Sequence, residues 1–160
     1  MFWKLGRKEY EQKKGEGNRR AFRGVVRSGE IPGLLAYAEG RPVAWCAVAP
    51  REAYPRLERS RVLGRVDDRP VWSVVCFFVD RKFRRQGVTV DLLKAATEYA
   101  KKRGAKIVEG YPTDPGRRIS PDAFVYTGLV SAFRQAGFVE VERRSRTRLI
   151  MRCYPRGEQD

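Results

Sequence analysis

The residues with the most chemistry in them run Val79-Asp80-Arg81-Lys82-Phe83-Arg84-Arg85-Gln86-Gly87-Val88-Thr89. An apolar strand over residues 71–79 ends here, a basic turn follows, and an amphipathic helix begins at once. The first turn of a helix offers unpaired N–H groups and the positive end of the helix dipole. Gly87 removes a side chain where an anion would approach the backbone, and Arg84 and Arg85 add charge. This is the physics of a pyrophosphate cradle. It is neither GxxxxGK[ST] nor GxGxxG. The plainer alternative is a basic strand-to-helix turn with a helix-capping glycine.

What is absent narrows the chemistry further. The 160 residues contain no histidine, which removes His-based triads and His metal ligands. Cys46, Cys76 and Cys153 lie far apart in apolar segments without a CxxC pair, so no metal site is expected and they read as buried free thiols. Lys and Arg total 34 against 19 acids, a net charge of +15, and 25 of the 34 are Arg. Such a field attracts anions without naming them: nucleic acid, phosphorylated cofactors or acidic substrates. The longest apolar runs, 43–49 and 74–79, are too short to cross a membrane. The opening residues lack the apolar stretch of a secretory signal, which gives a cytoplasmic expectation.

The elements around the basic turn follow from periodicity. Residues 6–16 read as a short polar helix; Asn18 as an N-cap, with Ala21, Phe22, Val25 and Val26 as the apolar stripe of a second helix. Strands at 34–38 and 42–49, joined by Glu39-Gly40, form an antiparallel hairpin. The second is apolar on both faces and therefore central. Residues 50–70 form an unusually long connection with six arginines. After the strand at 71–79, a helix spans 88–103, closed by Gly104. A short strand at 106–110, an irregular loop at 111–122, a helix at 123–136 and a terminal hairpin (138–144 and 146–153) complete the order. In the hairpin Val139, Val141, Leu149 and Met151 are the expected inward residues. The expectation is one mixed α/β domain over 1–160, with a mostly antiparallel sheet and helices on both faces.

Arg84-x-x-Gly87-x-Thr89, between an apolar strand and an amphipathic helix, resembles the acyl-CoA-binding motif Q/R-x-x-G-x-G/A of the GNAT superfamily of N-acetyltransferases. Phe133-Arg-Gln-Ala-Gly137-Phe138 resembles the family's Y-E-K-x-G-F, and the element order is similar over residues 18–153. Three departures stand out. Thr89 replaces Gly or Ala. Residues 2–5 can supply at most a reduced first strand, so that strand is expected to be vestigial or missing. Phe133 replaces the tyrosine that many members use to protonate the departing thiolate.

The resemblance implies that acetyl-CoA is the co-substrate. Its pantetheine arm would insert where the strands at 71–79 and 106–110 splay apart, pairing with backbone at Phe77, Phe78 and Val79. Its pyrophosphate would lie on the N–H groups of Arg84, Arg85, Gln86, Gly87, Val88 and Thr89. A backbone N–H at or near Val79 would polarise the thioester carbonyl, and a neutral amine would attack it directly. With no carboxylate on the central strand, Glu109 is the first candidate for the base, ahead of Asp122 and Glu52; a water relay or an ion-paired structural Glu109 are the alternatives. Tyr126 is the candidate acid in place of Phe133. Cys76 as a nucleophile is disfavoured by its apolar strand.

Arg51, Arg56, Arg117 and Arg118, on the two long loops, would suit a small-molecule or peptide amine bearing an acidic group. A homodimer through the terminal strands fits the resemblance. Two other functions fit the residues: a non-catalytic acyl-CoA sensor, motivated by Phe133, and a nucleic-acid-binding module, motivated by the charge. The second lacks a basic recognition helix or interleaved aromatic and basic residues.

Overall fold

The computed structural model describes residues 1–116 and 126–155. Helices α1 (Arg7–Gln12) and α2 (Glu16–Arg27) precede a hairpin of β1 (Gly33–Ala38) and β2 (Arg41–Pro50). A 3-10 turn (Arg51–Ala53) and the short α3 (Pro55–Glu58) follow. Then come β3 (Trp72–Val79), α4 (Val88–Lys101), β4 (Val108–Gly110), α5 (Val130–Gln135), β5 (Val139–Glu142) and β6 (Ile150–Cys153). The six strands form one sheet in the order β1-β2-β3-β4-β6-β5. Among the described strands only β3 and β4 pair in parallel; the other strand pairs are antiparallel. This is the mixed α/β architecture expected, with β2 and β3 interior, as their apolar runs require.

The sheet buries two cores. On one face Leu92, Leu93, Ala96 and Ala100 of α4, with Phe133 of α5, pack on Val48, Val74 and Phe77. On the other, Tyr54, Leu57 and Leu63 of the long connection cover Ala47, Ala49 and Val75. That connection is thus a lid on the sheet. Glu39 and Gly40 both take positive φ (50° and 74°), the twist that a tight hairpin turn demands.

Several boundaries differ from the sequence expectation. Residues 2–5 form a turn, in which Lys4 and Leu5 N–H donate to Met1 C=O, so the first strand is missing. The N-cap of α2 is Gly15 at φ 78°, not Asn18, which lies inside the helix and donates its Nδ2 to Tyr10 C=O at 2.9 Å. Of the helix expected at 123–136, the first residues lie outside the described ones, and Tyr126–Leu129 are not helical. Gly128 (φ 90°) turns the chain there, and α5 starts at Val130. In the last hairpin Leu149 and Met151 are buried as expected, whereas Val139 is 53 % exposed because β5 is the edge strand. Among the described residues, no helix is long and apolar enough to cross a membrane.

Candidate active site

β3 and β4 pair only through Trp72–Val74 and Val108–Gly110. Beyond that point β3 continues to Val79 while β4 has ended. A parting of these two strands is what the family resemblance implies. A β-bulge sits at its root: Ala47 pairs with Cys76 and Val48 with Val74, so Val75 is an extra residue on β3. Before the bulge Trp72 N–H points at β4 and bonds Ile107 C=O at 3.0 Å. After it, Asp80 N–H bonds Val43 C=O of β2 at 2.8 Å. The alternation of an antiparallel ladder then turns Phe77 and Val79 toward the gap. Phe77 N–H is taken by Tyr126 C=O at 2.7 Å. Val79 C=O accepts from Arg84 Nε at 3.1 Å.

The basic turn is built by its own polar groups. Asp80 accepts Lys82 N–H at 2.9 Å and holds the 3-10 turn Arg81–Phe83. Gln86 Nε2 donates to Lys82 C=O at 2.7 Å. Arg85 and Gly87 take φ of 61° and 81°. Gly87 is the N-cap of α4 and supplies no side-chain cap, so the first N–H groups of α4 keep no capping side chain. A Cβ at Gly87 would meet nothing within 4 Å. The glycine is needed for its left-handed backbone rather than for room. Arg84, Arg85 and Gln86 are exposed around it.

Phe133 stands where the resemblance places a tyrosine. Its ring is fully buried, edge-on to Phe77 (6.1 Å) and Phe138 (5.0 Å). A Cβ on Gly110 would lie 2.1 Å from it, and one on Gly128 2.7 Å. The two glycines clasp the ring. Tyr126 lies in the turn before α5, edge-on to Phe2 at 6.2 Å. Burial pushes its phenol pKa up, which keeps the hydroxyl protonated.

Glu109 is fully buried and held from three sides: Arg51 Nη1 at 3.0 Å, Arg152 Nε at 2.8 Å and the Tyr111 hydroxyl at 2.8 Å. It sits opposite Ser73, within the paired part of β3 and β4 rather than in the gap. The ion-pair alternative therefore describes Glu109 better than the base. Glu52 is exposed and bonded to Arg65 at 2.8 Å, which holds its carboxyl below its ordinary pKa. Asp122, Arg117 and Arg118 lie outside the described residues. Arg51 does not face an acceptor. It is 1 % exposed, and its donors go to Glu58, Glu109, the Tyr111 hydroxyl and the carbonyls of Leu57 and Leu63. Arg56 lies over the Phe2 ring at 3.9 Å and donates Nε to Leu5 C=O.

The sequence offers Trp45 and Tyr54 as aromatics that could shape an apolar pocket, and both line a cavity of about 540 Å³ on the face of the sheet opposite α4, whose other aromatic walls it did not foretell. Val75 and Cys76 of the bulge form part of its wall, and so do Tyr126, Phe2, Trp3 and Tyr54. The available signal was four aromatic residues among the first 22: Phe2, Trp3, Tyr10 and Phe22. Burial raises the Cys76 thiol pKa, and Cys46 is pushed up to about 12, which leaves both thiols protonated. Among the described residues, no group of side chains could hold a metal ion.

Comparison with known proteins bears on the family and the fold. Residues 2–117 match the model of the acetyltransferase (GNAT) family. An uncharacterised N-acetyltransferase of Methanocaldococcus jannaschii is 30% identical over 134 residues, 84% of this chain and 50% of that protein. The chain thus spans about half the length of that curated relative. An acetyltransferase of the GNAT family from Streptococcus agalactiae superposes with a TM-score of 0.57 at 13% identity, covering 92% of this chain and 79% of its own. A ribosomal-protein-alanine N-acetyltransferase from Brucella melitensis does so with a TM-score of 0.54 at 19% identity, covering 87% and 77%. At these identities the superpositions speak for the fold alone, while the sequence match covers most of the chain: it belongs to the GNAT family of acetyltransferases.

Proposed function

We propose that this chain, as one domain, transfers an acetyl group from acetyl-CoA to the amine of an acceptor by direct attack. One observation carries the reading. The gap between β3 and β4 presents the backbone of Val79 and runs straight into the uncapped N-terminus of α4 through the Arg84–Gly87 turn. Pantetheine would lie along Phe77, Phe78 and Val79, its amide displacing the Arg84 side chain from Val79 C=O. The pyrophosphate would take the N–H groups from Arg84 to Thr89, where the helix dipole and Arg85 favour negative charge. Val79 N–H is the donor we assign to the thioester carbonyl.

The amine nitrogen bonds the acetyl carbon, and the carbon–sulfur bond breaks as the carbonyl re-forms. The amine's surplus proton leaves to water, and the thiolate takes one from the Tyr126 hydroxyl, which water then reprotonates. Glu109 is a positioning residue in this scheme: through Arg51 it fixes the long connection on the sheet.

Calorimetric titration with acetyl-CoA tests the reading. Micromolar binding is expected, with loss of at least a hundredfold in the Arg84→Ala/Gly87→Glu variant, whose fold is checked by circular dichroism. Absence of binding at low salt in the folded protein would sink it. Binding without any thiol release over an amine panel would favour a sensor, the reading that Phe133 supports.

A further inference from the structure

Helix α2 walls the aromatic cavity on one side, and what its other side carries deepens the acyltransferase reading, on which this inference rests. Asn18, Arg19 and Phe22 line the cavity, and the Phe22 ring meets Trp45 edge-on at 5.9 Å. The arginines of α2 are Arg19, Arg20, Arg23 and Arg27, all exposed. At 3.6 residues per turn they fall within an arc of about 100° on the helix surface. Arg19 belongs to both surfaces: it lines the cavity while its side chain is 75% exposed, so it stands at the rim. Arg23 and Arg27 follow at one-turn steps, a track of about 12 Å leading away from the rim.

The fold itself does not answer these charges. Arg7, Arg65, Arg69, Arg143 and Arg144 each reach a carboxylate. Arg20, Arg23 and Arg27 form no ion pair among the described residues, and Arg19 only approaches Glu16, at 3.8 Å. Like charges three and four positions apart repel on a helix, so Arg19, Arg20 and Arg27 each weaken α2 against Arg23. Gly24 lies beside the track, where a Cβ would meet nothing within 4 Å. Packing inside the chain does not ask for a glycine there, and it leaves the helix backbone open to a chain laid alongside. Arg51 and Arg56, the loop arginines expected to meet an acidic acceptor, are engaged within the fold instead.

The cavity offers an ammonium no counter-ion. Among the described residues no carboxylate lines it, and Arg19 adds a like charge. That charge and the apolar walls favour the neutral amine that the attack needs. The acceptor's affinity must then come from elsewhere, and carboxylates on the arginine track supply it. Nucleic acid offers only the weakly basic amines of its bases, whereas a peptide carries an aliphatic amine at its end and carboxylates after it. A chain end also leaves the cavity in one direction, as a single track requires.

We infer that the acceptor is the amino terminus of an acidic peptide, its amine in the cavity and its carboxylates on Arg19, Arg20, Arg23 and Arg27. An extended chain advances about 3.4 Å per residue, so the track spans about four residues. Fluorescence anisotropy with C-terminally labelled Ala-Ser-Asp-Glu-Asp-Glu and its uncharged counterpart Ala-Ser-Asn-Gln-Asn-Gln, with and without saturating CoA, tests this. At low salt the acidic peptide is expected to bind about tenfold tighter, since each exposed ion pair adds little and several act together. High salt should shrink that ratio. Arg20→Glu/Arg23→Glu/Arg27→Glu should bring it to one or below; Arg23→Ala, which should lower it, gives a second reading if the triple variant does not fold. Equal binding of the two peptides, or a ratio that both variants leave untouched, would overturn the inference. So would a single-stranded oligothymidylate that binds more tightly than the acidic peptide and is released by the same variants, since the track would then serve nucleic acid. The CoA arms keep the two claims apart. An acidic preference in a protein that binds no CoA removes the acyltransferase reading and leaves the track's preference standing; CoA binding without an acidic preference does the reverse.

Discussion

Two polar regions lie under the same lid and are built on opposite terms. Around Glu109 every strong donor has its acceptor. Arg51 serves Glu58, Glu109, Tyr111 and two carbonyls. Arg152 reaches Glu109 and then both oxygens of Asp67, at 2.6 and 3.1 Å. Ser73 closes on the Tyr111 hydroxyl at 2.7 Å. Around the aromatic cavity the reverse holds: Trp3, Asn18 and Tyr54 each bury a polar atom that has no partner among the described residues. A saturated network holds structure; unpaired buried groups weigh against the fold. The contrast separates two sets of residues that composition alone would class together as polar and buried.

The largest effect should come from breaking the saturated side. Glu109→Gln leaves Arg51 and Arg152 buried without their shared countercharge, and a loss of about 3–5 kcal/mol is expected in chemical denaturation. Full stability with activity abolished would instead restore Glu109 as a base. A smaller effect concerns pH. Arg152 holds the Asp67 carboxyl below its ordinary pKa. A depressed folded pKa gives stability that is present above the unfolded pKa and lost as pH falls through the folded one. Urea midpoints should therefore drop on acidification below the ordinary aspartate range, and Asp67→Asn should flatten that slope; an equally steep slope in the variant would count against the pair. The smallest effect belongs to the cavity. Tyr54→Phe removes an unpaired hydroxyl and should leave Tm unchanged or slightly raised. A fall of several degrees would mean that the hydroxyl already has a structural partner.

What could be read from the sequence was local. The apolar run of β3, the Gly87 turn and the amphipathic α4 announce themselves by composition and period, and the hairpin of β1 and β2 by Glu39-Gly40. The missed features depend on distant partners. Arg51 and Glu109 are separated by 58 positions and Arg152 and Asp67 by 85, so nothing near either arginine marks it as buried. Tyr126 fell into the helix expected at 123–136, which runs through Gly128. The Phe133 ring packed against it, and its positive φ, decide otherwise. The cavity draws on residues 2–22 and on Trp45, Tyr54, Cys76 and Tyr126, and only the folded chain brings those together.

The extra residue at Val75 carries one more consequence. It acts as a phase shifter: upstream the even-numbered amides of β3 look toward β4, downstream the odd-numbered ones do. What the gap offers is therefore fixed by counting residues, not by which side chains follow. Substituting Phe77, Phe78 or Val79 changes the fit of the gap but not the direction of its hydrogen bonds, whereas deleting one residue there would reverse them all. Such a strand can drift in sequence while its chemistry stands still.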